Sequence, residues 1–129
     1  MEACKKLSAE LEAKLDFKNT KSTLIGDIEG DYGLLVNATP VGMYPKTDAA
    51  AVSEKVISRC ENVFDAVYNP LETKLVKTAK ANGSRAAGGM AMLVWQAVRA
   101  HEIWDGSEYN NDDINQLIED SAKEQMKNF

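Results

Sequence analysis

Tyr32-Gly-Leu-Leu-Val36 runs directly into Asn37-Ala-Thr-Pro-Val-Gly-Met43, and this junction of an apolar run with a proline and glycine turn decides the fold. A short continuous apolar run of this kind fits a parallel β-strand covered on both faces. Thr39-Pro40-Val41-Gly42 then turns the chain sharply, exposing backbone groups and a hydroxyl where a cofactor could pass. Taken alone, the same four residues fit a tight connection with no ligand.

Working away from that junction, helical and strand-like patterns alternate. Ala3 to Leu15 places Leu7, Leu11 and Leu15 on one face of an amphipathic helix. Ser22 to Ile25 predicts a short strand. Ala49 to Arg59 predicts a helix with Val52 and Val56 facing inward, and Asn62 to Val67 predicts a second buried strand. The next helix is expected from Pro70 to Ala81. Asn69 would cap it, Pro70 suits the first helical position, and Glu72 stands where a capping-box acid reaches back. Its apolar face comprises Leu71, Leu75, Val76 and Ala79, its solvated side Lys74, Lys77 and Lys80, and Asn82-Gly83 ends it. Ser84 to Ala87 predicts a short strand. Met90 to Trp104 is apolar on nearly every side, so that helix should be largely buried or face a second domain. A last helix, about Asp112 to Lys127, carries Ile114, Leu117, Ile118, Ala122 and Met126 at helical spacing. The order is that of an α/β fold: the second half of a doubly wound, Rossmann-like parallel sheet with C-terminal helices.

Composition sets outer limits. With 129 residues of 44% hydrophobic composition, one core and one domain are expected. Cys4 and Cys60, with His101 as the single histidine, suggest neither a disulfide framework nor a metal site. Residues 105–129 hold Asp105, Glu108, Asp112, Asp113, Glu119, Asp120 and Glu124 against Lys123 and Lys127, which accounts for the whole net charge of −5. The remainder is balanced, so no nucleic-acid surface is indicated, and an acidic helix of this kind is ordinarily a solvated face. No apolar run has the length of a membrane span or a signal peptide, which points to a cytoplasmic protein.

Asn37 to Met43, Asp65-Ala-Val-Tyr-Asn-Pro70 and Gly88-Gly-Met-Ala-Met-Leu-Val-Trp-Gln96 resemble, in order and roughly in spacing, three segments of the nucleotide-binding domain of shikimate dehydrogenases, which reduce 3-dehydroshikimate to shikimate with NADPH. Each segment begins where a predicted strand ends, the place where ligands lie in such folds. The resemblance implies that Thr39 passes beside the nicotinamide ribose, that the backbone at Ala66 approaches the nicotinamide, and that Gly89 lets the ring come close. It also implies that Tyr68 and Gln96 contact the substrate. A tyrosine hydroxyl can donate to a carboxylate, and an amide can both donate to and accept from ring hydroxyls. Gln96 stands in an otherwise apolar helix, where burying it unpaired would be costly. It follows Gly89 by seven residues, about two turns, and so shares its side.

Two departures from the family pattern are Gly88 and Ala91, where members often carry an acidic or amide residue and a further glycine. The family's opening strand, its Gly-Ala-Gly-Gly-Ala turn and its N-terminal substrate domain, which supplies a catalytic lysine and aspartate, have no counterpart in these 129 residues. The expectation is therefore a single partial nucleotide-binding domain over 1–129, whose helices from about 90 onward turn toward the missing substrate domain. It holds part of an NADP site but no catalytic residue, is inactive alone, and tends to self-associate. Two alternatives stay open: a non-catalytic binding or regulatory module that keeps the half-fold, or a quinate-using relative. His101 lacks a Ser, Cys or carboxylate pattern beside it and reads as a helix-surface residue.

Overall fold

The computed structural model describes residues 2–15 and 20–128. Two compact units are formed, 1–30 and 31–129. In the first, α1 (Glu2–Leu15) follows the expected span, but none of its residues is buried, and Leu7 and Leu15 are exposed. Ser8 Oγ lies 2.9 Å from Ser22 Oγ, and Thr20 donates to Glu12 at 2.8 Å. The strand expected over Ser22 to Ile25 is absent: Ile25–Asp27 is instead a single 3-10 turn.

The second unit holds a three-stranded parallel sheet in the order β1 (Tyr32–Asn37), β2 (Cys60–Asp65), β3 (Arg85–Ala87). Its register sets Leu35 beside Val63 and Val63 beside Ala86. Four helices complete the unit: α2 (Glu54–Ile57), α3 (Lys74–Ala81), α4 (Met90–Asp105) and α5 (Asn111–Asn128). The chain therefore has the expected α/β architecture, with each strand returned to the same sheet by a crossover, as parallel pairing requires.

The core under the sheet is Ile57, Cys60, Val63, Leu75 and Ala79, closed by Leu35, Ala50, Val52 and Ala86. β1 is covered on one face only. Leu35 and Asn37 point inward, whereas Leu34 and Val36 remain 59% and 52% exposed, so the apolar run belongs to an edge strand rather than to one sandwiched on both sides. The Cys60 thiol donates to the Val56 carbonyl at 3.2 Å, and burial pushes its pKa up, which keeps it a core thiol.

Two helices are shorter than their patterns predict. Residues 49–53 pack Ala50 and Val52 on the core without helical pairing, leaving one turn at Glu54–Ile57 with Val56 and Ile57 buried. α3 starts at Lys74, not Pro70. Its cap is Thr73, whose hydroxyl accepts from the Val76 N–H at 3.3 Å, and Glu72 reaches out to Lys80 at 2.5 Å instead of back to a cap at Asn69. The far end follows expectation: Asn82 caps the helix and Gly83 takes a φ of 85°.

A smaller core joins the last two helices through Val94, Val98 and Ile114, with Met90, Trp95 and Ile118 around it. α4 is much less buried than its composition suggests. Only Val94 and Val98 are enclosed, Gln96 is exposed, and Ile103 and Trp104 are 80% and 79% exposed. α5 is a solvated acidic helix along most of its length, as its charge pattern implies.

Candidate functional site

The carboxyl ends of the three strands lie side by side, and the loops that leave them carry Thr39, Ala66, Tyr68 and Gly89, while Gln96 lies on α4. Asn37 and Asp65 are register partners at the ends of β1 and β2. Asp65 is fully buried, an arrangement that is costly for a carboxylate unless donors surround it. Three do. Asn37 Nδ2 donates to Oδ1 at 2.9 Å, the Val67 N–H to the same oxygen at 3.0 Å, and the Thr73 hydroxyl to Oδ2 at 2.6 Å.

Asn37 carries this order outward. Its Oδ1 accepts from the Thr39 hydroxyl at 2.7 Å and from the Thr39 N–H at 3.0 Å, while Thr39 Oγ1 accepts from the Val41 N–H at 3.3 Å. One buried carboxylate thus fixes the loop after β1, the loop after β2 and the start of α3. Thr39 is held on the exposed side of this network with its hydroxyl proton already committed to Asn37.

Ala66 and Gly89 are brought into direct contact. A Cβ added at Gly89 would lie 2.3 Å from the Ala66 carbonyl oxygen, and the Gly89 N–H donates to the Val67 carbonyl at 2.9 Å. Gly88 is pressed in the same way, its would-be Cβ 2.6 Å from the Leu71 carbonyl oxygen. The glycine pair is therefore required by the chain's own packing, which locks the entry of α4 onto the loop after β2.

Tyr68 and Gln96 also come together. Both line an open groove of about 370 Å³ whose floor is Met90, Leu93 and Val94 and whose far wall comes from α5. Gln96 is exposed there rather than buried, so its amide is available to a ligand and the cost of burial is not what marks it. Among the described residues no charged side chain lines this groove. His101 stands apart from it, on the α4 surface, 3.2 Å from Asp105 and edge-on to Trp104. The Asp105 carboxyl is held below its usual range first by its hydrogen bond from the Ser107 hydroxyl and then by His101.

Asn37, Asp65 and Thr73 sit within or beside the recognised segments, yet the sequence reading gave them no role. The available signal was Asp65 itself, an acid at the end of an apolar strand, where only an enclosing set of donors makes burial tolerable. Among the described residues no group of histidine, cysteine and acidic side chains could hold a metal ion, and no helix is long and apolar enough to cross a membrane.

No family model matches the chain. Two curated relatives are the NADP(+) shikimate dehydrogenases of Clostridium perfringens (strain SM101 / Type A), 47% identical over 93 residues, and of Clostridium beijerinckii, 39% identical over 104 residues. These matches cover 72% and 81% of this chain but only 32% and 37% of the relatives, so the chain spans about a third of their length. Among solved structures, a chorismate mutase/shikimate 5-dehydrogenase fusion protein from Clostridium acetobutylicum superposes with a TM-score of 0.73 at 31% identity, covering 80% of this chain and 38% of that one. A quinate dehydrogenase from Corynebacterium glutamicum, in complex with NAD, gives 0.71 at 27% identity, covering 90% of this chain and 41% of the other. The chain is a homologue of the shikimate dehydrogenases over about a third of their length, and it has the α/β fold of their Rossmann-like nucleotide-binding domain.

Proposed function

We propose that residues 1–129 form one partial nucleotide-binding domain of an NADP-dependent shikimate dehydrogenase, carrying the nicotinamide side of the cofactor site and two substrate contacts. The observation that carries this reading is the convergence at the strand ends: Thr39, Ala66 and Gly89 on adjoining loops, with Tyr68 and Gln96 in one groove beside them. Relatives named as NADP(+) enzymes, and a solved shikimate dehydrogenase in complex with NADP+, support the choice of cofactor.

These residues fit one end of a dinucleotide. Thr39 and Ala66 border the open side of the strand ends, and the Asp65 network holds both in place. The pyrophosphate end is not supplied here, because the Gly-Ala-Gly-Gly-Ala turn that would hold it on a helix N-terminus has no counterpart in these 129 residues. When bound, NADPH supplies the hydride for a ketone carbon. The task of this chain is positional: the Tyr68 hydroxyl and Gln96 amide hold the substrate, and the loops after β1 and β2 fix the floor against which the transfer occurs.

Proton transfer to the product hydroxyl needs an acid or base within hydrogen-bond reach. The lysines of α3 do not offer one: Lys74 is bonded to Asp48 and Lys80 to Glu72, both on the exposed surface, and the exposed Lys77 lines the neighbouring cavities rather than the groove of Tyr68 and Gln96. The chain is therefore assigned no turnover by itself, and its missing partner is the substrate-binding half with its lysine and aspartate. In an enzyme completed with that half, Gln96→Ala should raise the KM for shikimate roughly 2–10-fold, the equivalent of about one neutral hydrogen bond. His101→Ala should leave both kinetic constants unchanged. Steady-state kinetics on the three proteins tests this, and an enzyme indifferent to Gln96→Ala but disabled by His101→Ala would place the site elsewhere. A quinate-using relative is the second reading, favoured by the superposition on quinate dehydrogenase, and the ratio of kcat/KM for quinate and shikimate separates the two.

A further inference from the structure

The groove that holds Tyr68 and Gln96 has a second polar wall that neither the sequence motifs nor the family resemblance assigns. α5 contributes Ser121 and Gln125, one helical turn apart, opposite Gln96 on α4. Gln125 also lines a neighbouring open cavity of about 620 Å³, which Pro70, Leu71 and Met126 border together with the charged Glu72 and Lys77. Its Oε1 is buried and has no hydrogen-bond partner among the described residues. A buried carbonyl oxygen left in that state is destabilising, and such atoms in folded proteins are ordinarily matched by a donor. On the side of Tyr68 and Gln96, the groove's chemistry limits what that donor is. Its lining is apolar apart from a phenol, two amides and a serine hydroxyl, with no cation to meet a carboxylate or phosphate. Uncharged hydrogen-bonding groups on an apolar floor suit a hydroxylated carbon ring lying face-down, with any acid group directed out of the groove.

We propose that Gln125 is a third substrate contact, its amide oxygen accepting a hydrogen bond from a ring hydroxyl of a polyhydroxylated cyclic acid held between Tyr68 and Gln96. The proposal rests on the reading of that groove as the substrate side of the site. It makes α5 a specificity element: the acceptor selects ligands with a hydroxyl on the edge facing away from α4.

Titration of the ¹⁵N-labelled full chain with shikimate, followed on the side-chain amide resonances, tests both levels separately. The Gln96 and Gln125 amide signals should move together and saturate at a common Kd. Cyclohexanecarboxylate, which has the acid but no ring hydroxyl, should leave Gln125 unmoved. Gln125→Met, similar in length but without the amide, should weaken shikimate affinity roughly 2–10-fold while Gln96 still responds. If that variant does not fold, the titration of the unaltered chain still decides. Shikimate shifting Gln96 but not Gln125, or cyclohexanecarboxylate shifting Gln125 as strongly as shikimate does, overturns the Gln125 contact and leaves the groove's assignment standing. Shikimate shifting neither signal in the chain completed with a substrate-binding half overturns both.

Discussion

Gly89 and Asp65 show how two single residues set the shape of the strand ends. Gly89 has no room for a side chain, since its Cβ would meet the Ala66 carbonyl oxygen at 2.3 Å, closer than any tolerated contact, and the obstacle is backbone rather than a side chain that can swing away. Gly89→Ala should therefore displace the loop after β2 and cost roughly 1–3 kcal/mol or more in urea unfolding. Gly33→Ala is the matched control, because nothing lies within 4 Å of a Cβ there, and its stability should be unchanged or slightly raised. Asp65→Ala removes the acceptor shared by Asn37, Val67 and Thr73, which leaves the Val67 N–H and the Thr73 hydroxyl proton without a partner and Asn37 Nδ2 with the Val41 carbonyl alone. Its expected cost is at least ~2 kcal/mol by the same measurement, with the Thr39 backbone resonance displaced as well, because Asn37 transmits the loss outward. A stability change below a few tenths of a kcal/mol would mean that water replaces the carboxylate at no penalty, contrary to the burial of all three partners.

The start of α3 gives the clearest contrast between local sequence and tertiary structure. Asn69, Pro70 and Glu72 have the spacing of a capping box, yet the helix begins four residues after Pro70, because Asp65 beneath it anchors the Thr73 hydroxyl and turns that hydroxyl into the cap. Thr73→Ala should destabilise the protein by ~1 kcal/mol from the lost cap, and by more because Asp65 loses a donor. Asn69→Ala should cost little, and thermal unfolding of the two variants compares them directly. Glu72, freed from capping, is pulled below its usual pKa first by the hydrogen bond from Lys80 and then by the charge of that lysine. A depressed folded-state pKa means that the pair stabilises above the ordinary glutamate pKa and is lost as pH falls through the folded value. Glu72→Gln should thus lower stability at neutral pH by roughly 0.2–1 kcal/mol, given its exposure, and the difference from the parent should vanish on acidification. The strands and the spans of α1, α4 and α5 were readable from periodicity and apolar runs, because those signals are local. The strand at Ser22 to Ile25, the length of α2 and the cap of α3 were not. In α2 and α3, core packing and a buried hydrogen bond from a distant strand overrode propensity. The residues proposed for the site were named from glycine and proline turns and from Gln96, whereas the Asp65 network was hidden because its meaning depends on which donors the fold brings to it.

Taken whole, the second unit presents more apolar surface than its core needs to leave open. β1 pairs with β2 on one side and with no other described strand, so the backbone groups along its outer edge are a template for another chain. Leu34 and Val36 project from the same strand into solvent, and Ile103 and Trp104 are nearly bare at the end of α4. Such surfaces are ordinarily covered, by other parts of an assembled protein or by a second copy, because exposed apolar patches of this kind favour association. In isolation the chain should therefore self-associate in a concentration-dependent way, against a net charge of −5 that opposes close approach and whose effect salt will screen. Light scattering and sedimentation velocity across a concentration series should show a rising average mass, steeper at high salt. Leu34→Lys places a charge on the strand's exposed face and should shift the distribution toward monomer, whereas Trp104→Ser should do so only if the α4 end takes part. A single monomeric species at every concentration and salt, with Leu34→Lys indistinguishable from the parent, would show that the edge of β1 is not sticky. Association abolished by Trp104→Ser but not by Leu34→Lys would move the contact from the sheet edge to the helix, since only the residue at the interface can transmit its charge or its lost area to the equilibrium.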